Sequence, residues 1–179
     1  AAAVLERLCS TCTAEDRAHT TEAVDSFAAL VSAGADPAEE NFACVPIQGS
    51  GTFAVEAVID TMVPRGGRLL VLVNGAYGRR IQDICAYIKR DCAILEYAED
   101  EPTPTGRLAE TLDGDASITH VAALHCETTS GILNPLEDIA RVVTGAKRKL
   151  VVDAMSTFGA MEIDVEVLGL SAIIASSNK

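Results

Sequence analysis

Short apolar runs rich in β-branched residues recur along this chain, at residues 42–47, 68–74, 92–97, 120–126, 149–154 and 171–176, and each reads as a buried strand. Amphipathic stretches lie between them. Val55, Val58, Ile59 and Met62 fall at helical spacing, residues 77–89 form a second such stretch and residues 135–147 a third, with Pro135 suited to a first helical turn. Strand and helix that alternate in this way predict an α/β fold, with a mostly parallel sheet flanked by helices on both faces. Residues 14–33 read as a polar-faced helix and 34–40 as a turn rich in small and acidic residues. Residues 1–41 are therefore expected to form a helical lead-in to a larger domain over 42–179. The acidic stretch 99–106, with two prolines, is expected to be a surface loop and not a linker, because the alternation resumes beyond it.

With 179 residues, of which 49% are hydrophobic and 22% charged, the chain can bury a proper core. Its net charge of -12, with no Lys/Arg run longer than Lys147-Arg148-Lys149, argues against a nucleic-acid backbone as partner, since that recognition needs larger clusters of cations. The apolar stretches 69–73 and 172–175 fall far short of the roughly 20 residues that span a bilayer. Residues 1–7 lack the pattern of a secretory leader, so no membrane association and a cytoplasmic location are expected. Of the six cysteines, Cys9 and Cys12 have CxxC spacing, but no second pair follows at a zinc-finger distance. Cys44, Cys85, Cys92 and Cys126 are expected to pack as small hydrophobes, while a redox or metal role stays open for Cys9 and Cys12.

In a parallel α/β sheet, ligands gather beyond the carboxyl ends of the strands. After the first run comes Gln48-Gly49-Ser50-Gly51-Thr52, which opens into a helix from Phe53. Ser50, Gly51 and Thr52 offer close backbone approach, hydroxyl donors and a helix N-terminus, which suits a phosphate and equally suits an N-capped tight turn. The lysine of a nucleotide P-loop is missing, and GxGxxG is not matched. Tyr77 follows the second run, where it can stack on a flat ligand or pack on its own helix. The segment from His125 through Thr128 to Gly131 crowds polar side chains into a turn, with His125 expected to be a satisfied core residue. Asp153 ends a hydrophobic strand, and a carboxylate there needs a cationic partner. Lys179 ends the next one, so the two form either an ion pair or a functional couple. Together a phosphate cradle, an aromatic platform, a carboxylate and an amine are the parts that pyridoxal 5'-phosphate requires.

Five segments, in order, resemble the class V aminotransferases of fold type I: Gln48-Gly-Ser-Gly-Thr-Phe-Ala-Val-Glu-Ala-Val58, Asn74-Gly-Ala-Tyr-Gly78, His125-Cys-Glu-Thr-Thr-Ser-Gly-Ile-Leu-Asn-Pro135, Val152-Asp-Ala-Met-Ser-Thr-Phe-Gly159 and Ser176-Ser-Asn-Lys179. The resemblance implies that Ser50, Gly51 and Thr52 hold the cofactor phosphate, Tyr77 lies against its ring and Thr128 near its ring hydroxyl. Asp153 would bind the ring nitrogen with Ser156 close by, and Lys179 would carry the cofactor covalently. It further implies a homodimer, an amino donor and a 2-oxo acid acceptor, the nearest likeness being to members that take 2-aminoethylphosphonate and pyruvate. Members that use alanine and glyoxylate or serine and pyruvate share the order of motifs, whereas Asn178 and Tyr77 depart from the cysteine desulfurases. The family's early Thr-Pro-Gly-Pro-like segment has no counterpart before Phe42, and the chain ends at the cofactor lysine. A fragment is thus expected, without the second, smaller domain and its substrate-gripping arginine; a phosphate-binding fragment without turnover is the non-enzymatic alternative.

Overall fold

A strand buried on both faces must be apolar at every position, and β1 (Arg68–Val73) meets that requirement from Leu69 to Val73, all of them at most 1% exposed. The same chemistry produces β3 (Ile118–Leu124) and β6 (Lys149–Asp153), while β2 (Cys92–Glu96) and β7 (Ala172–Ile174) are more open. A short antiparallel ribbon, β4 (Cys126–Glu127) with β5 (Ile132–Leu133), follows β3. In this computed structural model, which describes residues 42 and 44–176, the five longer-range strands form one sheet in the order β2-β1-β3-β6-β7, with every pairing parallel. Two compact units divide the chain, Ala1–Ser50 and Gly51–Lys179, and the sheet belongs to the second.

Four helices accompany the sheet among the described residues: α1 (Gly51–Met62), α2 (Ala76–Ile88), α3 (Thr105–Gly114) and α4 (Leu136–Gly145). The chain steps from β1 through α2 to β2 in one direction, then passes back over β1 to β3 and continues through α4 to β6. Right-handed crossovers in opposite directions put their helices on opposite faces. The packing agrees. Val55 and Ile59 of α1 and Ile81, Ile84 and Cys85 of α2 share one core with Leu69, Val71, Val73, Leu124 and Val151. The alternate residues Leu70, Leu72, Val121, Leu150 and Val152 face the other way, where α3 and α4 pack on each other and α4 contacts β6. The reversal of direction falls between β1 and β3, which makes their carboxyl ends the natural crevice of this sheet.

Several local expectations are revised. Among residues 42–47 those described adopt no regular secondary structure, and Val45 is 67% exposed: an apolar extended run becomes a strand only where a neighbour takes its backbone hydrogen bonds. The fourth expected strand, 120–126, ends at Leu124 and not at residue 126, because Cys126 turns away to pair with Leu133 in the ribbon. Met62 stays exposed at the end of α1, so the buried stripe of that helix narrows to Val55 and Ile59. Residues 99–106 are not wholly superficial, for Thr103 is buried and α3 already starts at Thr105. The expected helix 14–33, the turn 34–40 and the Cys9/Cys12 pair lie outside the described residues.

Candidate functional site

At the β1/β3 crevice the chain places buried amides, which demand partners in the absence of water. Asn134 supplies most of them. Its Oδ1 accepts from Asn74 Nδ2 at 3.1 Å, from Thr103 N at 3.0 Å and from Thr103 Oγ1 at 3.0 Å, while its Nδ2 donates to the Leu124 carbonyl at 2.9 Å. Asn74 also donates to the Glu101 carbonyl, and the Tyr97 hydroxyl lies 2.5 Å from Thr103 Oγ1. Burial pushes the Tyr97 phenol up to about 12, so it stays neutral within this network. The loop before α3 is thereby fastened to the ends of β1 and β3.

Beside this network lies a fully buried carboxylate, Glu127. Its Oε2 accepts from the backbone N–H of Tyr77 at 3.1 Å and of Gly78 at 3.4 Å, and its Oε1 from the N–H and hydroxyl of Thr129 at 3.1 and 2.7 Å. The first turn of α2 has N–H groups without intrahelical acceptors and a positive dipole end, and an anion there satisfies both. Gly75 is what admits it, since a Cβ at that position would lie 2.5 Å from Glu127 Cδ and Cγ. In the sequence Glu127 stands only as part of a polar turn, an acidic residue immediately after the expected strand 120–126 and three positions past the end of β3.

Glu127 thus fixes the backbone that presents Tyr77, which is half-buried and lines a shallow, solvent-open recess. Thr52, Val55, Arg80, Ile81, Ile84, Asp153 and Met155 complete its lining. Three residues singled out from sequence, Thr52, Tyr77 and Asp153, therefore converge on one space. Helix α1 begins at Gly51, two residues earlier than expected, so the Gly51 and Thr52 N–H groups themselves belong to the free first turn. Gly51 is closely overlaid by Met155, whose Sδ would be 2.3 Å from an added Cβ. Ser50 is exposed and closes the other compact unit. Asp153 is half-buried, with Oδ1 accepting from Met155 N at 3.0 Å. Thr128 and Ser156 meet each other, hydroxyl to hydroxyl at 2.6 Å, and neither is among the residues that line the recess. Lys179 and Asn178 lie outside the described residues.

His125 is the satisfied core residue that its setting predicts: it is 5% exposed, with Nδ1 2.9 Å from Thr157 Oγ1, and burial holds its pKa below the usual histidine value. Cys85 is buried, and desolvation followed by the neighbouring Cys92 thiol pushes it up to about 12, which leaves it a thiol at neutral pH. Cys92 and Cys126 are half-buried, whereas Cys44 is exposed. No group of three or more metal-ligating side chains occurs among the described residues, and no helix of these is long and apolar enough to cross a membrane.

Comparison with known proteins adds an independent line. The family model for aminotransferase class-V matches residues 14–179. A 2-aminoethylphosphonate–pyruvate transaminase from Pseudomonas fluorescens is 54% identical over 136 residues, covering 76% of this chain and 37% of its own length. The corresponding protein from Pseudomonas aeruginosa is 52% identical over 141 residues, or 79% of this chain and 38% of the relative. The chain therefore spans little more than a third of the length of these curated relatives. Among solved structures, pyridoxamine-pyruvate aminotransferase from Mesorhizobium loti aligns with a TM-score of 0.67 at 26% identity, over 73% of this chain and 33% of that one. Alanine–glyoxylate aminotransferase from Nostoc gives 0.74 at 24% identity over 87% and 41%, a likeness of fold.

Proposed function

Because the chain belongs to the class V aminotransferase family, we propose that it forms the cofactor-binding part of an enzyme that uses pyridoxal 5'-phosphate to move the amino group of 2-aminoethylphosphonate to pyruvate, giving phosphonoacetaldehyde and alanine. The observation that carries this reading is the convergence of Thr52, Tyr77 and Asp153 on one recess at the carboxyl edge of the sheet. Relatives that are 54% and 52% identical to this chain over the 136 and 141 residues they share with it, and that are named for this reaction, support the choice of donor and acceptor.

The residues present fit the cofactor. Gly51 and Thr52 offer free N–H groups at the start of α1, where a dianion meets the positive end of the helix dipole, and Thr52 adds a hydroxyl. Ser50, which precedes them in the chain, is proposed to add another. Tyr77 supplies a flat platform, its backbone N–H anchored by Glu127. Asp153 holds a proton at the ring nitrogen, and when bound the cofactor then supplies an electron sink for carbanion chemistry. Thr128 and Ser156, already hydrogen-bonded to each other, are proposed to orient the ring hydroxyl side. Lys179 is proposed to carry the cofactor and to move the proton at the substrate's Cα, which requires an amine whose pKa is lowered by its surroundings. Residues 42–179 would constitute the cofactor-binding domain and 1–41 its lead-in, within a cytoplasmic homodimer.

The test is a transamination assay on the longest native form of the polypeptide, with pyruvate as acceptor and added cofactor. Alanine should form with 2-aminoethylphosphonate as donor, and Lys179→Ala should abolish it. Activity confined to alanine with glyoxylate, or to serine with pyruvate, would retain the chemistry and sink the phosphonate assignment. No turnover and no cofactor absorbance would leave the chain a binding fragment.

A further inference from the structure

Arg79 and Arg80 are neighbours in α2, yet their surroundings differ. Arg79 is charge-matched on the outer surface, with Nη2 3.0 Å from Glu96 Oε1 and Nη1 2.7 Å from Glu99 Oε1. Arg80 has no carboxylate within 4.0 Å among the described residues. Its Nη1 donates instead to Thr52 Oγ1 at 3.2 Å, and its guanidinium carbon lies 5.6 Å from the centre of the Tyr77 ring. It lines the same recess as Asp153 and Met155. In a chain of net charge -12, an arginine turned away from the abundant carboxylates and toward the start of a helix is poised for an external anion.

We propose that Arg80 is a phosphate-binding residue of this recess, its guanidinium gripping the phosphate monoester from the side opposite the first turn of α1. The inference rests on the reading that a phosphorylated cofactor binds here. Guanidinium suits the task because its planar fork meets two phosphate oxygens at once and stays charged at any working pH. Thr52 links the two halves of the grip: its hydroxyl accepts from Arg80 and keeps its own proton to donate to a phosphate oxygen. The face of Tyr77 holds the guanidinium in register with the platform.

The probes that test this are pyridoxal 5'-phosphate and pyridoxal, which share a ring and differ in the phosphate. They would be titrated into the longest native polypeptide in its cofactor-free form, with the binding constants read from absorbance. Arg80→Ala should weaken binding of the phosphorylated compound by roughly tenfold or more, the loss of a charge-assisted hydrogen bond. Pyridoxal should bind as before. Arg80→Lys should recover part of the loss, and Arg79→Ala should leave both constants unchanged. Inorganic phosphate should compete with pyridoxal 5'-phosphate less effectively in Arg80→Ala than in the parent. Equal weakening toward both probes would assign Arg80 a purely structural role and overturn the proposal, as would an unaltered ratio. A parent protein that binds neither compound would sink the cofactor reading itself, an outcome distinct from either of those.

Discussion

Truncating Glu127 leaves four donors without an acceptor: the N–H groups of Tyr77, Gly78 and Thr129 and the Thr129 hydroxyl. Glu127→Ala is expected to destabilise the fold by about 3 kcal/mol in a denaturant melt, because buried groups lose charge-assisted bonds and keep their desolvation cost. Gly75→Ala attacks the same spot from the other side, forcing a Cβ to within 2.5 Å of the Glu127 side chain. It should cost about 1–3 kcal/mol and loosen the first turn of α2, seen as faster amide exchange at Tyr77 and Gly78. Asp153→Asn is different in kind. An asparagine oxygen can still accept from Met155 N, so the melting temperature should hardly move, while under the proposed role of Asp153 at the cofactor's ring nitrogen turnover of the intact protein should drop on the order of 100-fold.

Between elements, Asn134 acts as the fastening point, since it joins the residue after β1, the residues before α3 and the end of β3. Asn134→Ala should cost about 2–3 kcal/mol, because Thr103 N, Asn74 Nδ2 and the Leu124 carbonyl lose a partner in a buried setting. The loss should be local first: amide exchange over residues 98–104 should rise before the sheet is affected, as that loop has few other ties to the β1 and β3 ends. Asn134→Asp is the sharper comparison, for it keeps the shape and the Oδ1 acceptor but removes the donor to Leu124 and buries a charge.

Across the whole molecule, His120 and His125 are both buried and both have pKa values lowered, first by desolvation and, for His120, then by Lys149. A histidine with a folded pKa below its unfolded value binds its proton more readily when unfolded. The stability it permits is therefore complete above the ordinary value near 6.5 and is lost as pH falls through that value toward the folded one. Melting temperature should thus decline as pH drops below about 6.5, and His125→Gln should flatten part of that slope. A slope unaffected by substitution of either histidine would locate the acid sensitivity elsewhere. Asp115 acts in a lower window: hydrogen bonds from Ser117, with a contribution from Arg68, hold it below the usual carboxylate value, so its share is lost only as pH falls below about 4.

The sequence by itself determined that strands and helices alternate, because a fully buried strand must be apolar throughout and a covering helix must carry an apolar stripe, and both patterns are local. It also marked Thr52, Tyr77 and Asp153, since each stands just beyond a strand or at a helix start, where chain order alone puts a residue at the sheet edge. Tertiary structure decided the rest. Glu127 reaches Tyr77 across 50 residues and Asn134 reaches Asn74 across 60, and no local pattern encodes partners that far apart. The hydrogen bond from Arg80 to Thr52, 28 residues away, exists only because α1 and α2 pack on the same face of the sheet. Residues 44–47 carry the composition of a strand without forming one, because pairing is a property of two chains segments and composition of only one.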